Sequence, residues 1–298
     1  MDYKKIFRSR KMRLRILRCL SWIPDSLMIR LQYRIHMGRK LHLNNPQRYS
    51  EKIQHYKCYY RNPNMWRCVD KYEVRNYLHE RGLEKYLNEL YGVFDSVFDI
   101  DFDKLPKQFV VKTTDGGGNL EVYICRNNNE QARSEIIERF GAFARREKKS
   151  PGREYAYYGI KRTRIIVEKL LTDADCPDDG INDYKFICCN GKVACIVVDV
   201  DRNILHKRNF YNRQWENLNI GSDCPQIDRE VAPPVNLDEM ISLAETLSEK
   251  FPQVRVDLYN IKGKIIFGEL TFYPWSGYVQ YNPDSFDFEL GDKFIIDY

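Results

Sequence analysis

The segment from 254 to 272, VRVDLYNIKGKIIFGELTF, constrains the fold more than any other part of the chain. Two runs rich in β-branched and aromatic residues flank a loop that contains Gly263, which predicts an antiparallel β-hairpin. If the loop is the three-residue segment 261–263, with Gly263 at the position that needs a positive φ, then Asp257 faces Phe267. Glu269 then lies on the same face, one diagonal step and roughly 7–8 Å away at Cα. A two-residue loop would move the two acids to opposite faces.

Arg255 and Thr271 share this face, because side chains alternate along a strand with a period of two. Two carboxylates that converge beside a cation suit Mg²⁺, with phosphate oxygens as its remaining ligands. The alternative is a solvent-facing pair of strands with a surface ion pair. The apolar composition of both strands favours the metal site, with Asp257 and Glu269 as ligands.

A second segment, FVVKTTDGGGN at 109–119, has a lysine at the end of an apolar strand and three glycines shortly after it. Lys112 offers a point charge for phosphate, and Gly116, Gly117 and Gly118 let the backbone approach oxygens that a Cβ would obstruct. A plain β-turn beside a surface lysine is the alternative. The chain contains no G-x-x-x-x-G-K-[ST] motif, so the sequence does not predict a P-loop.

The composition is typical of a soluble globular protein, since 43% of the 298 residues are hydrophobic and 30% are charged. We expect no membrane span, because no apolar stretch approaches roughly 20 residues, and no signal peptide. The nine cysteines form no C-x-x-C pair, which argues against a zinc ribbon or a thioredoxin-like site. Scattered free thiols indicate a reducing compartment, so we expect a cytoplasmic protein.

Positive charge is concentrated at the N-terminus. Residues 1–40 hold twelve Lys or Arg and two Asp, a balance of +10, and the whole chain carries +6, which leaves −4 for the rest. Apolar residues lie among these charges: Leu14, Leu17, Leu20, Trp22 and Ile23. A basic amphipathic helix with a tryptophan suits an anionic membrane surface; a helix docked on the body of the protein is the alternative. Nucleic-acid binding is disfavoured, because the basic bias ends at residue 40 and no recognised motif follows.

The predicted secondary-structure pattern changes near residue 100. Residues 50–90 are charged and aromatic with helix-like spacing, and alternating strands and helices follow. Asn190-Gly191 lies between two β-rich runs and predicts a hairpin with a type I′ turn. Strands are predicted at 108–114, 121–125 and 164–170, and helices at about 130–147 and 237–250. The predicted fold class is α+β, with at least two β-containing lobes after a helical N-terminal region.

The order of these motifs resembles the ATP-grasp ligases: Lys112 and its glycine loop, IIVEKLL at 165–171, DYKF at 183–186, then VRVD and GEL. Several phrases are similar to the TupA-like branch, which is named from teichuronopeptide synthesis: SEKIQ, VDKYEVRNYL, FVVKTTDGGGN, DYKF, HKRNFY and VRVDLYNIKGKIIFGELTF. The similarity covers roughly residues 45–275. It implies an ATP-grasp fold with a helical, basic region at 1–100, a small lobe at 101–172 and a large lobe at 173–298.

The resemblance also implies which residues bind ATP: Lys112, Gly116, Gly117, Gly118, Glu168, Lys169, Leu171 and Asp175. The lysine and the glycine loop would contact the phosphates through the ammonium and backbone N–H groups. The segment 168–171 would hold adenine, partly through main-chain groups. Asp175, or nearby Asp173, would bind the ribose.

Four further residues would carry the chemistry. By the resemblance, Lys185 would reach the γ-phosphate, Asp257 and Glu269 would bind Mg²⁺, and Arg255 would stabilise the oxyanion of the acyl-transfer intermediate. ATP-grasp ligases commonly show Glu-x-Asn at the second metal position, whereas Thr271 stands here in place of the asparagine. The number of metal ions therefore stays open.

The resemblance implies carboxylate–amine ligation. ATP would phosphorylate a carboxylate to an acyl phosphate, and an amine would then attack the acyl carbon. Family context implies an amide between an amino acid or peptide and a uronic-acid-type sugar of a cell-surface polysaccharide, as in capsule synthesis.

Other interpretations stay open on the sequence alone. Asp199-Val200-Asp201 is a D-x-D triplet, typical of metal-dependent glycosyltransferases, and a nucleotide-dependent scaffold at the membrane is a third, non-catalytic interpretation. The segment 206–208, His-Lys-Arg, offers contacts for an acidic acceptor or forms a solvated turn. Trp275 stacks on a sugar or closes the core.

Overall fold

The computed structural model describes residues 16–17, 19–116, 121–141, 152–172, 180–201 and 205–297. Helices and two antiparallel sheets make up this part of the chain, which confirms the predicted α+β class. Within the described residues, four α-helices precede the first strand: α1 (Asp25–Met37), α2 (Tyr49–Tyr59), α3 (Met65–Val69) and α4 (Glu73–His79). Among the helices of the described ranges, none combines the length and apolar character that crossing a membrane requires.

The first sheet has four strands in the order β1-β4-β2-β3. Its strands are β1 (Leu90–Phe94), β2 (Phe109–Thr113), β3 (Val122–Cys125) and β4 (Ile165–Lys169). Helix α5 (Glu130–Phe140) has Asn129 as its N-cap. The Asn129 side chain accepts a hydrogen bond from the Ala132 N–H at 2.9 Å. The helix buries Ile136 and Phe140 against Phe109 and Val111 of the sheet. The division of the chain at residues 101 and 173 stays a prediction; β1 lies before residue 101 and pairs with β4.

The second sheet has five strands in the order β7-β6-β5-β8-β9. Its strands are β5 (Asp183–Cys189), β6 (Lys192–Val200), β7 (Lys207–Tyr211), β8 (Gln253–Ile261) and β9 (Lys264–Thr271). Strands β5 and β6 meet at Asn190-Gly191, where both residues have positive φ, as the predicted type I′ turn requires. Helix α6 (Leu237–Ser248) packs on the sheet through an apolar face that includes Met240, Leu243 and Leu247.

The hairpin β8–β9 corrects one prediction. Ile261 pairs with Lys264, so the loop is the two-residue turn Lys262-Gly263, with φ of 51° and 87°, and not the three-residue loop that we expected. This register alone would separate the two acids. A β-bulge between Phe267 and Glu269 restores their common face, because Gly268 is the extra residue and Asp257 pairs directly with Glu269.

The N-terminal helices join the two sheets. In α2, the N–H and hydroxyl of Ser50 donate to Asp287 at 2.8 and 2.7 Å, which ties this helix to α7 (Ser285–Lys293) near the C-terminus. Past α3, the backbone N–H of Lys71 donates to the Thr114 carbonyl just beyond β2 at 2.7 Å. The helical region therefore contacts both the glycine-loop strand and the body that carries the second sheet.

Candidate active site

Arg255, Asp257 and Glu269 converge at the paired ends of β8 and β9. The guanidinium of Arg255 donates to both oxygens of Asp257, at 2.6 and 2.7 Å, and to Glu269 Oε1 at 3.2 Å. It also donates to the Thr271 hydroxyl at 3.2 Å. Arg255 and Asp257 are buried, whereas the Glu269 side chain is 44% exposed. The bulge therefore aims one open and one buried carboxylate at the same cation.

Lys185 extends this cluster from the neighbouring strand β5. It pairs in register with Asp257, and its ammonium lies 3.2 Å from Asp257 Oδ2. The same ammonium contacts Asp183 and lies 3.6 Å from Asp199 Oδ2 on β6. Three buried aspartates thus surround one buried lysine. Removing any of these groups would leave a buried charge without its partner.

Burial and pairing shift the ionisation of these groups. Burial raises the pKa of Asp257 to about 6, although Arg255 and Lys185 pull it down. Partial loss of solvent would also raise the pKa of Glu269, but the positive charges of Lys71, Arg255 and Lys185 outweigh this and hold that pKa below its ordinary value. Burial alone would lower the pKa of Lys185, and Asp183 and Asp257 reverse this shift.

Asp257 and Glu269 suit a hard divalent cation. Among the described residues, no group of three or more His, Cys, Asp or Glu side chains forms a metal cluster. Mg²⁺ is commonly held by one or two carboxylates and completes its shell with water and substrate phosphates. Two adjacent carboxylates, one of them open to solvent, fit that donor set. The Thr271 hydroxyl lies 3.3 Å from Glu269 Oε1, beside the pair.

The first sheet contributes a second charged group. Lys112 donates to Glu168 Oε2 at 3.0 Å across β2 and β4, and Arg75 donates to Glu168 Oε1 at 3.2 Å. Glu168 is buried, whereas 28% of the Lys112 side chain is exposed. Lys112 is therefore held in place with access to solvent, as a phosphate ligand requires.

The sequence did not indicate Lys71 as a site residue, although it lies in the family-like phrase VDKYEVRNYL. Its ammonium donates to the carbonyl of Gly116 at the start of the glycine loop. Burial lowers the pKa of Lys71; the charge of Glu269 opposes this shift and that of Lys112 adds to it. Lys71 thus interacts electrostatically with Lys112 of the first sheet and with Glu269 of the second. The lysine of the glycine loop and the carboxylate pair therefore belong to one charged cluster.

The glycine loop is described only at its beginning. At Gly116, a Cβ would lie 2.7 Å from the Cβ of Glu121, so a larger residue there would require Glu121 to shift. Gly117, Gly118 and the ribose candidates Asp173 and Asp175 lie outside the described residues.

In the predicted adenine segment, the main chain of Lys169 is already bonded. Its N–H donates to the Glu89 carbonyl at 3.0 Å, and its carbonyl accepts from the Asn88 side chain at 2.9 Å. Its side chain is exposed and pairs with Glu89 at 3.1 Å. Leu171 follows the end of β4 and is partly buried.

Trp275 supports the arginines of the site. The guanidinium carbons of Arg208 and Arg255 lie 4.6 and 5.1 Å from its ring centroid. Trp275, Ser276 and Gly277 all have positive φ. This left-handed turn is held from α2, where the buried Lys57 ammonium donates to the Ser276 carbonyl at 2.8 Å. Trp275 therefore contacts two cations and the core, which favours a positioning role over sugar stacking.

The D-x-D aspartates are both engaged by cations. Arg208 donates to Asp199 at 2.7 and 3.2 Å, and with Lys185 it outweighs burial and holds the pKa of Asp199 well below its ordinary value. Arg229 pairs with both oxygens of Asp201 at 2.8 Å. This geometry does not support the alternative prediction of a glycosyltransferase metal site. Arg208 is buried in these contacts, so it does not form the solvated turn.

Solved structures similar to this chain include two ligases. D-alanine–D-alanine ligase from Bacillus anthracis shares 17% identity with a TM-score of 0.43; the match covers 69% of this chain and 57% of that one. The ligase from Helicobacter pylori shares 16% identity with a TM-score of 0.43, over 76% of this chain and 61% of that one. The chain thus spans less than two thirds of either relative. No curated protein sequence matches the chain significantly.

Two antiparallel sheets, with a glycine-loop lysine on one and a carboxylate pair on the other, agree with the ATP-grasp class that the sequence motifs indicate. The family model described as TupA-like ATPgrasp matches residues 51–295. The chain therefore belongs to the TupA-like ATP-grasp family, and the predicted family and fold class are confirmed.

Proposed function

We propose that the protein is an ATP-dependent ligase that joins a carboxylate to an amine through an acyl phosphate and forms a C–N bond. The observation that carries this proposal is the pairing of Asp257 with Glu269 beside buried Arg255, in a chain of the ATP-grasp family. Reactions of this kind need groups that hold a triphosphate and oppose negative charge, and the lysines, the arginine and the carboxylate pair of the site support this proposal.

In this proposal the triphosphate contacts cations from both sheets. Lys112 and the loop of Gly116, Gly117 and Gly118 bind phosphates from one side, and Lys185 reaches the γ-phosphate from the other. We add Lys71, because its ammonium contacts the Gly116 carbonyl and its pKa responds to Glu269 and Lys112.

The adenine and ribose contacts follow the family pattern. Glu168 and Lys169 border the adenine, and Asp175 binds the ribose. Because the main-chain groups of Lys169 are bonded to Asn88 and Glu89, we assign the main-chain contact with adenine to the residues after it, including Leu171.

Asp257 and Glu269 would hold Mg²⁺, which when bound offsets charge on the transferring phosphoryl group. Arg255 is held by two bonds to Asp257 and by its contact with Trp275, so its guanidinium is oriented before substrate arrives. A preorganised cation of this kind stabilises an oxyanion without reorganising during the reaction. Lys185 is likewise fixed by its aspartates and donates toward the transferred phosphoryl group.

The proposed substrates come from the family name alone. We propose that the amine donor is an amino acid or peptide and that the carboxylate belongs to a uronic-acid-type sugar of a cell-surface polysaccharide. A small-molecule acceptor with the same carboxylate satisfies the same chemistry, so both belong in the assay.

We further propose that the enzyme works in the cytoplasm, at the inner face of the membrane. The eight cysteines in the described part of the chain are free thiols, which a reducing compartment preserves. The balance of +10 in residues 1–40 supports attraction to anionic lipid headgroups.

The test is ADP release in the presence of Mg²⁺, candidate carboxylates and candidate amines. Asp257→Asn and Glu269→Gln should each lower ATP-dependent turnover by at least about 100-fold, since each removes a charge that acts on the transferring group. Asp201→Asn is the matched control, because it alters an acid that directly follows β6 and pairs with Arg229 outside the proposed site, and it should retain turnover. Full turnover in the two site variants would overturn the assignment. ATP binding without turnover on any acceptor would favour the scaffold.

A further inference from the structure

Helix α1 carries an exposed apolar ridge. Leu27, Leu31 and Ile35 recur every four residues, and their exposed fractions are 58%, 51% and 44%. Residues at this spacing lie on one face of a helix. Trp22, 78% exposed, lies in the segment that leads into the helix. We call Trp22, Leu27, Leu31 and Ile35 the α1 ridge.

The ridge is not needed to hold the helix in place. The opposite face of α1 buries Ile29, Tyr33 and Met37 in a cluster with Leu41 and Leu43. Tyr33 also shares a hydrogen bond of 2.9 Å with Ser50 of α2. The helix therefore keeps its anchoring contacts whatever the ridge faces, and exposed apolar side chains aligned on one face of a helix mark an interaction site.

The segment before the helix is also held firmly. Buried Arg153 donates to the carbonyls of Leu20, Ser21 and Ile23 at 2.7, 3.2 and 3.1 Å, and to Asp25 at 2.8 Å. These bonds position the chain on both sides of Trp22. The whole ridge is thus presented on a fixed scaffold.

Charge identifies the partner. Exposed Arg34 and Lys40 lie beside and after the ridge, within the 1–40 region that carries +10. An apolar stripe with a tryptophan and flanking cations complements a bilayer interface, where acyl chains accept the apolar side chains and anionic headgroups accept the cations.

We propose that the α1 ridge inserts into the interface of an anionic lipid bilayer and docks the enzyme there through helix α1. The inference rests on the proposed attraction of residues 1–40 to membranes and adds the surface that makes the contact. It replaces one sequence expectation, since Leu20 and Ile23 are partly buried and the contact falls on Leu27, Leu31 and Ile35.

The experiment is vesicle co-sedimentation of the full chain, with vesicles of phosphatidylcholine alone or with about 30% phosphatidylglycerol. The ridge variant is Leu27→Gln, Leu31→Gln and Ile35→Gln, because glutamine keeps helix propensity and leaves the charge unchanged. The control variant, Phe98→Gln, Leu205→Gln and Val235→Gln, removes three exposed apolar side chains elsewhere. Circular dichroism verifies that both variants fold.

We expect wild type and the control to bind the anionic vesicles, and the ridge variant to bind at least about tenfold more weakly, because partition scales with buried apolar area. Equal binding by the ridge variant and wild type would overturn the ridge assignment and leave membrane attraction intact. No binding by wild type would overturn both. A wild-type dimer that the ridge variant dissociates would assign the ridge to a second copy of the chain. Turnover of ATP tests the ligase proposal separately.

Discussion

The buried guanidinium of Arg255 offers the sharpest test of how the site is held together. Arg255→Met keeps most of the side-chain volume and removes the charge that neutralises Asp257 and part of Glu269. Asp257 is 3% exposed, and Lys185 at 3.2 Å would be its remaining close cation. Removing one partner of a buried ion pair destabilises a protein by about 3–5 kcal/mol, and we expect a loss of that size near pH 8 without Mg²⁺.

The loss should depend on pH with a definite sign. The pKa of Asp257 is already raised to about 6 by burial, above its ordinary value of 3.8, and removing Arg255 raises it further. The folded variant therefore binds a proton that the unfolded chain releases, and its stability increases as the pH falls. The deficit relative to wild type should shrink by up to about 1.4 kcal/mol per pH unit from pH 8 down to about pH 6, and it should level off below that pH because Asp257 of wild type then binds the proton as well.

Urea unfolding followed by circular dichroism measures both effects. Arg162→Met is the matched control, since Arg162 pairs at the surface with Asp95 and both side chains are largely exposed; it should cost less than about 1 kcal/mol. If Arg255→Met is no more destabilising than this control, or if its deficit is the same at pH 5 and pH 8, the electrostatic account of the site is wrong.

Three further outcomes follow from the same geometry. Gly268→Val should lower the free energy of unfolding by about 1–3 kcal/mol through overpacking, since a Cβ would lie 3.0 Å from the Asp257 carbonyl. It should also weaken Mg²⁺ binding in calorimetry. Gly221→Ala, at a position with room for a Cβ, should change neither quantity. Burial lowers the pKa of Lys57 from its ordinary value of 10.5 to about 8. Between pH 8 and pH 10.5 the unfolded chain therefore binds more protons, and the unfolding free energy of wild type should rise relative to that of Lys57→Met. A difference that does not change with pH would refute this. The Trp275 ring contacts two guanidinium groups, so Trp275→Leu should lower the free energy of unfolding in urea by about 1–3 kcal/mol. Trp275→Phe keeps an aromatic ring and should lose clearly less. Equal losses would contradict a cation–π contribution.

The sequence predicted the convergence of Asp257 and Glu269 from an incorrect loop. Alternation along two strands determines the face of each acid only if the register is known, and a single extra residue reverses it. The Lys262-Gly263 turn and the Gly268 bulge each shift the register by one residue in the same direction, so together they return both acids to one face and place Glu269 directly opposite Asp257. A glycine inside a strand pattern is a known signal for a bulge, so the sequence contained the means of correcting the loop.

Contacts between distant segments were beyond sequence patterns. Lys71 and Arg75 lie in a helical stretch whose charges look like a solvated surface, and only the packing of that stretch on the first sheet brings them to Gly116 and Glu168. Trp275 reaches its arginines through a left-handed turn that Lys57 holds from another helix. Strands β2, β3 and β4, the hairpins β5–β6 and β8–β9, and helix α6 have local signals and were predicted, whereas β1 was not.

Calorimetric titration with a non-hydrolysable ATP analogue, with and without Mg²⁺, tests most directly whether both sheets meet around one triphosphate. Lys112→Met and Glu269→Gln alter opposite sides of the proposed site, and each should weaken binding at least about tenfold, since a charge-assisted hydrogen bond contributes about 1.5–3 kcal/mol. Glu269→Gln should also abolish the dependence on Mg²⁺, whereas Lys112→Met should retain it. Wild-type affinity in either variant would contradict the shared site and, with it, the ligase account.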